Sequence, residues 1–293
     1  MSSPKPLDGV LPSDAIIENL TPDWGVFITS RQRHEAFYSG LQSVEVYDSR
    51  EFGMLFRLDG HFMTSEKDEF FYHENLVHLA AVTHEKPKTA LIVGGGDGGS
   101  AEELLKHPSI ERITLVEIDA SVVDISRRYL KRVHHGSLDH PKLALKVEDG
   151  FAYIKNSDEQ FDLIILDLTD PGGPSTLLYT PEFYQACARR LTPDGIMTLH
   201  IASPIAHPAQ IRNTITQLRG AFPRVAPFLT TVPLYGGMWM MAFCSNGADP
   251  HTLSADDVER RLKEREIGDL QYYNGEMHRA ALALPNFVRA IIA

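Results

Sequence analysis

Cysteine is scarce in this chain. Only Cys187 and Cys244 occur among 293 residues. Each lies in an apolar stretch that reads as a helix or a strand, so buried free thiols are expected rather than a disulfide. There are 13 histidines, yet no His/Cys cluster has the spacing of a metal site, and no metal is expected. Positive charge is short too: 28 Lys and Arg face 39 Asp and Glu, a net charge of −11. Such a surface disfavours nucleic-acid backbones and anionic membranes and favours cationic partners. No uninterrupted apolar run approaches the ~18 residues of a membrane span. Residues 1–10 are polar and proline-bearing, unlike a signal peptide. A cytoplasmic location is therefore expected. No internal repeat or low-complexity segment is present. The remainder, 43% hydrophobic and 23% charged, is a soluble globular composition, long enough for one large domain or one domain with an annex.

One stretch organises the chain: Leu91-Ile92-Val93-Gly94-Gly95-Gly96-Asp97-Gly98-Gly99-Ser100. The apolar run 90–93 predicts a buried parallel strand. Ala101, Leu104 and Leu105 then fall at helical spacing. Strand, glycine turn and helix form the nucleotide-binding start of an α/β sheet. Gly94, Gly96 and Gly99 satisfy the G-x-G-x-x-G spacing, and Glu117 ends the next apolar run where an acid contacting ribose hydroxyls belongs. Asp97 is the informative departure. A carboxylate among phosphate-cradling amides would repel a pyrophosphate, which argues against NAD or ATP and for a sulfonium or ammonium ligand.

Around this stretch the pattern changes along the chain. Residues 1 to about 23, with Pro4, Pro6, Pro12 and Pro22, are expected to be loosely held. From 24 to 63 short alternating runs predict a small antiparallel β annex, with Asp59-Gly60 as a hairpin turn. A helix is predicted to open near Ser65 and run to about Thr83. From Pro87 strands and helices alternate at 89–93, 101–106, 112–117, 120–132, 143–147, 151–155, 161–167, 181–191, 195–201 and 208–221. That alternation predicts a doubly wound, Rossmann-like α/β domain of the methyltransferase type. Strands at 225–230 and 238–245 would add an antiparallel hairpin at the edge, and a helix at 254–264 and an apolar tail at 282–293 would finish the chain. The expected division is an annex at 1–65 and a catalytic domain at 66–293. The basic run Arg127, Arg128, Lys131 and Arg132 reads as a solvated helix end.

Ligands of such sheets sit beyond the carboxyl ends of the strands. An acid follows each of the first four: Asp97, then Glu117 with Asp119, then Asp149, then Asp167 with Asp170. One acid at such a junction is usually a helix N-cap, and two on a turn can be turn formers. Four junctions in series predict a strongly anionic pocket suited to a polycation. No Lys or Arg lies between Asp162 and Ala188 to neutralise the last pair.

With these residues in place the chain resembles the spermidine synthase family, the polyamine aminopropyltransferases. The resemblance rests on Leu58-Asp59-Gly60, Asp68-Glu69-Phe70-Phe71-Tyr72-His73-Glu74, the glycine loop, Val116-Glu117-Ile118-Asp119, Glu148-Asp149-Gly150, Asp167-Leu168-Thr169-Asp170-Pro171, Val232-Pro233-Leu234-Tyr235 and Tyr272-Tyr273-Asn274. It implies transfer of an aminopropyl group from decarboxylated S-adenosylmethionine to a diamine, putrescine being the expected acceptor, with release of methylthioadenosine. It implies no prosthetic group and a homodimer. Carried over by position, Gln42, His73, Gly94, Gly96 and Asp97 would hold the donor. Glu117 would take its ribose and Asp149 with Gly150 its adenine, with Pro174 at the pocket border. Tyr72, Asp167, Asp170 and Tyr235 would line the acceptor channel, with Asp167 as proton acceptor.

Elementary electrostatics fits that resemblance. S-adenosylmethionine carries a carboxylate that Asp97 would repel, whereas the decarboxylated donor offers only an ammonium and a sulfonium. The acceptor amine, with a pKa of about 10, must lose a proton at a cost of roughly 4 kcal/mol at neutral pH. Asp167 would need desolvation, and the nearby Asp170 charge, to become basic enough. Three departures fall near the expected acceptor channel: Leu168, Leu234 and the segment His200-Ile201-Ala202-Ser203. They leave the amine open among putrescine, agmatine, cadaverine and a longer triamine. Other classes also stay open: a methyltransferase of a small amine, a polyamine-binding protein without activity and, more distantly, a nicotinamide dehydrogenase.

Overall fold

Two sheets carry the molecule, joined by one buried helix. The computed structural model describes residues 11–171 and 173–293; the expectation of a polar, leaderless start at 1–10 lies outside them. The first sheet is antiparallel, in the order β1 (Ala15–Thr21), β2 (Trp24–Tyr38), β3 (Ser43–Ser49), β4 (Gly53–Leu58) and β5 (His61–Ser65). β1 corrects the expectation that the chain is loosely held up to about 23. Ile16 and Leu20 alternate inward and are buried, and Ala15 to Thr21 pair with Thr29 to Trp24 of β2. The flanking Pro12 and Pro22 bound this strand rather than dissolve it, as proline does at strand ends. The predicted turn at Asp59-Gly60 is present, both residues having positive φ (48° and 84°), as the primed hairpin turns require.

The second sheet runs β11 (Arg224–Val232), β12 (Gly237–Ser245), β10 (Leu191–Ala202), β9 (Phe161–Asp167), β6 (Thr89–Gly94), β7 (Arg112–Glu117) and β8 (Leu143–Val147). The five strands from β10 to β8 are parallel. β12 lies antiparallel between β10 and β11, so the expected hairpin is there with its second strand turned inward. The strand order reverses beside β6, where Gly94 is paired with Asp167. That is the topological switch point at which α/β sheets take ligands.

Period-two alternation explains the two apolar layers. Ala90, Ile92, Leu163, Ile165 and Ile196 point to one side of the sheet, and Leu91, Val93, Ile164, Leu166 and Met197 to the other. The first layer packs on α1 (Glu69–Thr83), the second on α6 (Pro181–Arg190) and α7 (Pro208–Ala221). α1 is buried on all sides from Tyr72 to Val82. A smaller cluster of Val44, Val46, Phe56 and Leu58 against Val122, Ile125 and Val133 seats the first sheet on the helices at 120–134 that follow β7. At roughly 1.5–3 kcal/mol per fully buried large aliphatic side chain, this seat fixes the position of every residue the first sheet contributes to the cleft.

Smaller differences are local. The helix expected at 120–132 breaks at Leu130 into α3 (Ala120–Tyr129) and α4 (Lys131–His134). Its basic run makes ion pairs at the surface, Arg127 with Asp139 and Arg128 with Glu35, each at 2.9 Å. The remaining helices are α2 (Gly99–Leu105), α5 (Gly150–Asn156), α8 (Ala255–Glu264), α9 (Gly275–Leu282) and α10 (Asn286–Ile292). α9 was not expected, and the apolar tail ends as α10. Cys187 and Cys244 are free and buried, as expected. No helix among the described residues is long and apolar enough to cross a membrane.

Candidate active site

An open cleft of about 860 Å³ lies over the carboxyl ends of β6, β7, β8 and β9. It brings together Gln42, Tyr72, His73, Gly94, Gly96, Asp97, Glu117, Asp149, Gly150, Asp167, Pro174 and Tyr235. Of the expected site residues only Asp170 is outside this lining. It borders an adjoining cavity of about 560 Å³ that shares Gln42, Leu58, Met63, Thr169 and Pro174 with the cleft.

The glycine loop is shaped by contact. Gly94 has φ +78°, and a Cβ there would come within 2.1 Å of the Asp167 carbonyl oxygen. A Cβ on Gly99 would come within 2.3 Å of the His73 ring. Glycine at these positions lets the loop press onto β9 and α1. The Gly99 N–H then donates to Asp97 Oδ1 at 2.9 Å, and Gly95 N–H to the Asp167 carbonyl at 2.8 Å. The Ser100 hydroxyl, at the start of α2, donates to Asp167 Oδ2 at 2.7 Å.

His73 of α1 stands beside the glycine loop. Its Nδ1 lies 2.8 Å from Glu69 Oε2, and its Nε2 lies 3.5 Å from Asp97 Oδ2 and 3.9 Å from Asp167 Oδ2. Burial pushes the imidazole down, but Asp97 and Glu69 outweigh it and hold His73 well above the ordinary histidine value. Burial likewise opposes ionisation of Asp97, and His73 with the Gly99 N–H holds that carboxyl below its usual value. His73 lines the cleft and stands beside Asp97, which together with Glu69 favours its charged form. The anionic rim thus carries one internal counter-charge that no Lys or Arg supplies.

Asp167 is raised by burial first and by Asp97 second. The like charge that helps it is therefore Asp97, not Asp170 as expected. One imidazole nitrogen and two carboxylate oxygens of His73, Asp97 and Asp167 lie within 4.8 Å of one another. Three separate elements bring them together, which linear spacing could not reveal. Two carboxylates and one imidazole converging on the cleft make a site for a cation.

Glu117 is buried and accepts the N–H groups of Gly96 (3.2 Å) and Asp119 (2.9 Å). Burial still raises its carboxyl to about 7. Asp149 serves both readings at once: it caps α5, accepting from Ala152 N–H at 2.6 Å, and it lines the cleft. Gln42 lines the cleft while its amide donates to Asp119 Oδ2 at 3.1 Å, tying the first sheet to β7. At the other end the Tyr235 hydroxyl donates to the Met63 carbonyl. Its proton is spent, so its oxygen can only accept. Tyr72 stands edge-on to His73 and Tyr235. Asp170 Oδ1 is buried with no hydrogen-bond partner, and burial raises that carboxyl to about 6.

Residues 69–254 match the family model described as the spermine/spermidine synthase domain. The chain belongs to that family. A polyamine aminopropyltransferase of Nitrosomonas europaea is 45% identical over 288 residues, covering 98% of this chain and 89% of the relative. One of Thermoanaerobacter sp. is 39% identical over 251 residues, covering 85% and 88%. Among solved structures, a spermidine synthase in complex with the transition state analogue AdoDATO superposes with a TM-score of 0.89 at 34% identity, covering 100% of this chain and 98% of that one. The spermidine synthase of Thermotoga maritima gives 0.87 at 34% identity, covering 96% and 95%. The protein is thus an enzyme, an aminopropyltransferase of the spermine/spermidine synthase family.

Of the three departures in this aminopropyltransferase, Leu168 and His200 lie beside residues of the expected acceptor channel, and Leu234 does not. Leu168 lines the cleft. Leu234 does not: its side chain is in the core, and its N–H donates to Asp68 Oδ2 at 2.8 Å. His200 is buried behind the site in a chain of hydrogen bonds. Trp239 Nε1–H donates to its Nδ1 (3.3 Å), its Nε2 meets the Tyr179 hydroxyl (3.0 Å), and Tyr179 donates to the Thr169 carbonyl (2.9 Å). Accepting at Nδ1 fixes the neutral tautomer with the proton on Nε2, and burial pushes His200 down to about 4. Glu69, Ser100, Tyr179 and Trp239 were missed from the sequence. Only Glu69 carried a signal, since four residues before His73 on a helix is the same face.

Proposed function

We propose that this enzyme transfers the aminopropyl group of decarboxylated S-adenosylmethionine to a diamine, putrescine, giving spermidine and methylthioadenosine. The observation that carries the reading is Asp97. It stands in the loop where phosphate binders keep neutral amides, ionised by His73 and facing the cleft. A donor without a carboxylate is attracted there, and S-adenosylmethionine is repelled. The likeness to a spermidine synthase holding AdoDATO supports the same donor.

Glu117 takes the ribose hydroxyls, and Asp149 with Gly150 borders the adenine. At the acceptor end Asp170 Oδ1, which has no hydrogen bond of its own, and the accepting oxygen of Tyr235 hold an ammonium by charge-assisted hydrogen bonds. Asp167, made more basic by burial and Asp97, takes the proton from the attacking nitrogen. That nitrogen's lone pair forms the new C–N bond as the C–S bond breaks and its electrons return to sulfur. The sulfonium is already a good leaving group, so alignment of nitrogen, carbon and sulfur is the main task. The same reading makes the enzyme a homodimer, which sedimentation checks. Incubation with either donor and a panel of diamines and triamines, followed by product analysis, tests it. Spermidine and methylthioadenosine from putrescine and the decarboxylated donor are the expected products. Methylated amine from S-adenosylmethionine would refute it.

A further inference from the structure

The helix that presents Tyr72 and His73 to the cleft is gripped from behind by a part of the chain outside the family match, which ends at residue 254. Glu74 follows His73 and turns away from the cleft, fully buried. Its Oε1 accepts Gln271 N–H at 2.7 Å, and its Oε2 accepts Tyr272 and Tyr273 N–H at 2.8 and 2.7 Å. One turn later His78 lies between Glu103 of α2 (2.7 Å) and His107 (2.9 Å). The open carbonyls at the end of α1, which no helical N–H can satisfy, are taken by two arginines. Arg261 donates to Val82 and Thr83 at 2.6 and 2.9 Å. Arg265 donates to Ala81, His84 and Glu85 at 2.6, 2.9 and 2.8 Å and reaches His107 at 3.2 Å. Neither Glu74 nor any residue of 261–273 lines the cleft.

We propose that Glu74 is a positioning residue: through it the segment 261–273 clasps α1 and holds Tyr72 and His73 in register with Asp97 and Asp167. This rests on the reading that the cleft is the reaction centre. A buried carboxylate is a poor device for stability alone, since well-packed apolar residues commonly do as well. Three N–H groups converging on one carboxylate do fix an axial position. That position is narrow, because the His73 ring packs against a glycine with no room for a Cβ. His73 faces Glu69 on its own helix, Asp97 from the glycine loop and Asp167 from β9, so a small axial slip changes three separations together.

Glu74→Gln in the full-length protein is the test. Glutamine offers one acceptor oxygen and sets an NH2 against backbone N–H groups. The variant should lose about 10- to 100-fold in kcat, as sub-ångström misplacement does, with both KM values within about twofold. The His73 titration midpoint, followed by imidazole NMR without any turnover, should fall toward the ordinary histidine value. Arg265→Lys, which cannot span the same carbonyls, should move the same two readouts in the same direction and decides the matter if Glu74→Gln does not fold. A lowered melting temperature with kcat and the His73 midpoint unchanged overturns the clasp. If the unaltered enzyme releases no methylthioadenosine, the proposed activity falls, and the His73 midpoint still decides the clasp.

Discussion

The two ends of the cleft are built on opposite plans. At the glycine-loop end every acid already has partners: Asp97 has Gly99 and His73, Glu117 has two N–H groups, and Asp149 caps α5. At the other end Asp170 Oδ1 has no hydrogen bond, only His200 Nδ1 at 3.9 Å, and the Tyr235 hydroxyl donates to the Met63 carbonyl. The first end is preorganised, so a ligand meets fixed charges and dipoles. The second is left short of donors, and in the proposed function the acceptor's ammonium supplies them. Buried polar groups without hydrogen bonds are costly, so an oxygen without one, kept beside the adjoining cavity, suits a ligand's hydrogen. The donor should therefore be chosen by a rigid frame and the acceptor by a few unsatisfied atoms.

The largest break in that contrast is expected at the junction. Asp167→Asn should lower kcat by about 100- to 10,000-fold, the usual worth of a general base, with donor affinity within about twofold. Methylthioadenosine release and calorimetric donor binding measure the two. A variant retaining full turnover would remove Asp167 from the chemistry. Next comes Asp97→Asn. Loss of one charged hydrogen-bond partner, worth about 1.5–3 kcal/mol, should weaken the decarboxylated donor by roughly 10- to 150-fold. Binding of S-adenosylmethionine should stay the same or tighten. Equal losses for both donors would show that Asp97 does not select between them.

Asp170→Asn should act only at the unsatisfied end, raising the acceptor KM about tenfold while donor affinity holds. A change in donor affinity instead would erase the division between the ends. Acidity provides a gentler probe. Burial pushes the Glu117 carboxyl up to about 7, and ribose hydroxyls need it as an ionised acceptor. Bound donor therefore favours the deprotonated form, and binding releases a proton below that value. The donor Kd should rise as pH falls through about 7, approaching tenfold per unit, and be flat above it. Glu117→Gln should abolish this slope.

Much of this was legible before any coordinates. Strand ends, glycine spacing and the series of acids are local features, and they predicted the α/β sheet and the acids Asp97, Glu117, Asp149 and Asp167 that line the cleft, whereas Gln42, Tyr72, His73, Pro174 and Tyr235 were named only by the family resemblance. What escaped is non-local. His73 lies on α1 and Asp97 in a loop 24 positions later, yet their contact decides the charge of both. The like charge that raises Asp167 proved to be Asp97, which is distant in sequence, rather than Asp170, which is three residues away. β1 was missed because its prolines suggested a break and its alternation is short. Leu234 was misplaced because adjacency to Tyr235 says nothing about which side chain faces the cleft, and a 3-10 turn there sends one into the core.

Leu168 is where the smallest effect should appear, and it probes the contrast most finely. It sits between Asp167 and Thr169 at the meeting of the two ends, and its side chain lines the cleft 3.3 Å from where a Cβ on Gly94 would lie. Being aliphatic, it offers an acceptor only shape and exclusion of water, and an apolar contact of one or two methylenes is worth about 1–3 kcal/mol at most. It is only partly buried, which places the effect at the low end. Leu168→Ser should thus change the ratio of kcat/KM between putrescine and a longer triamine by about two- to tenfold. It should leave donor affinity and the Glu117 pH slope untouched. A larger shift would mean that shape rather than unpaired charge selects the amine, and a change in donor affinity would mean that the two ends are mechanically one.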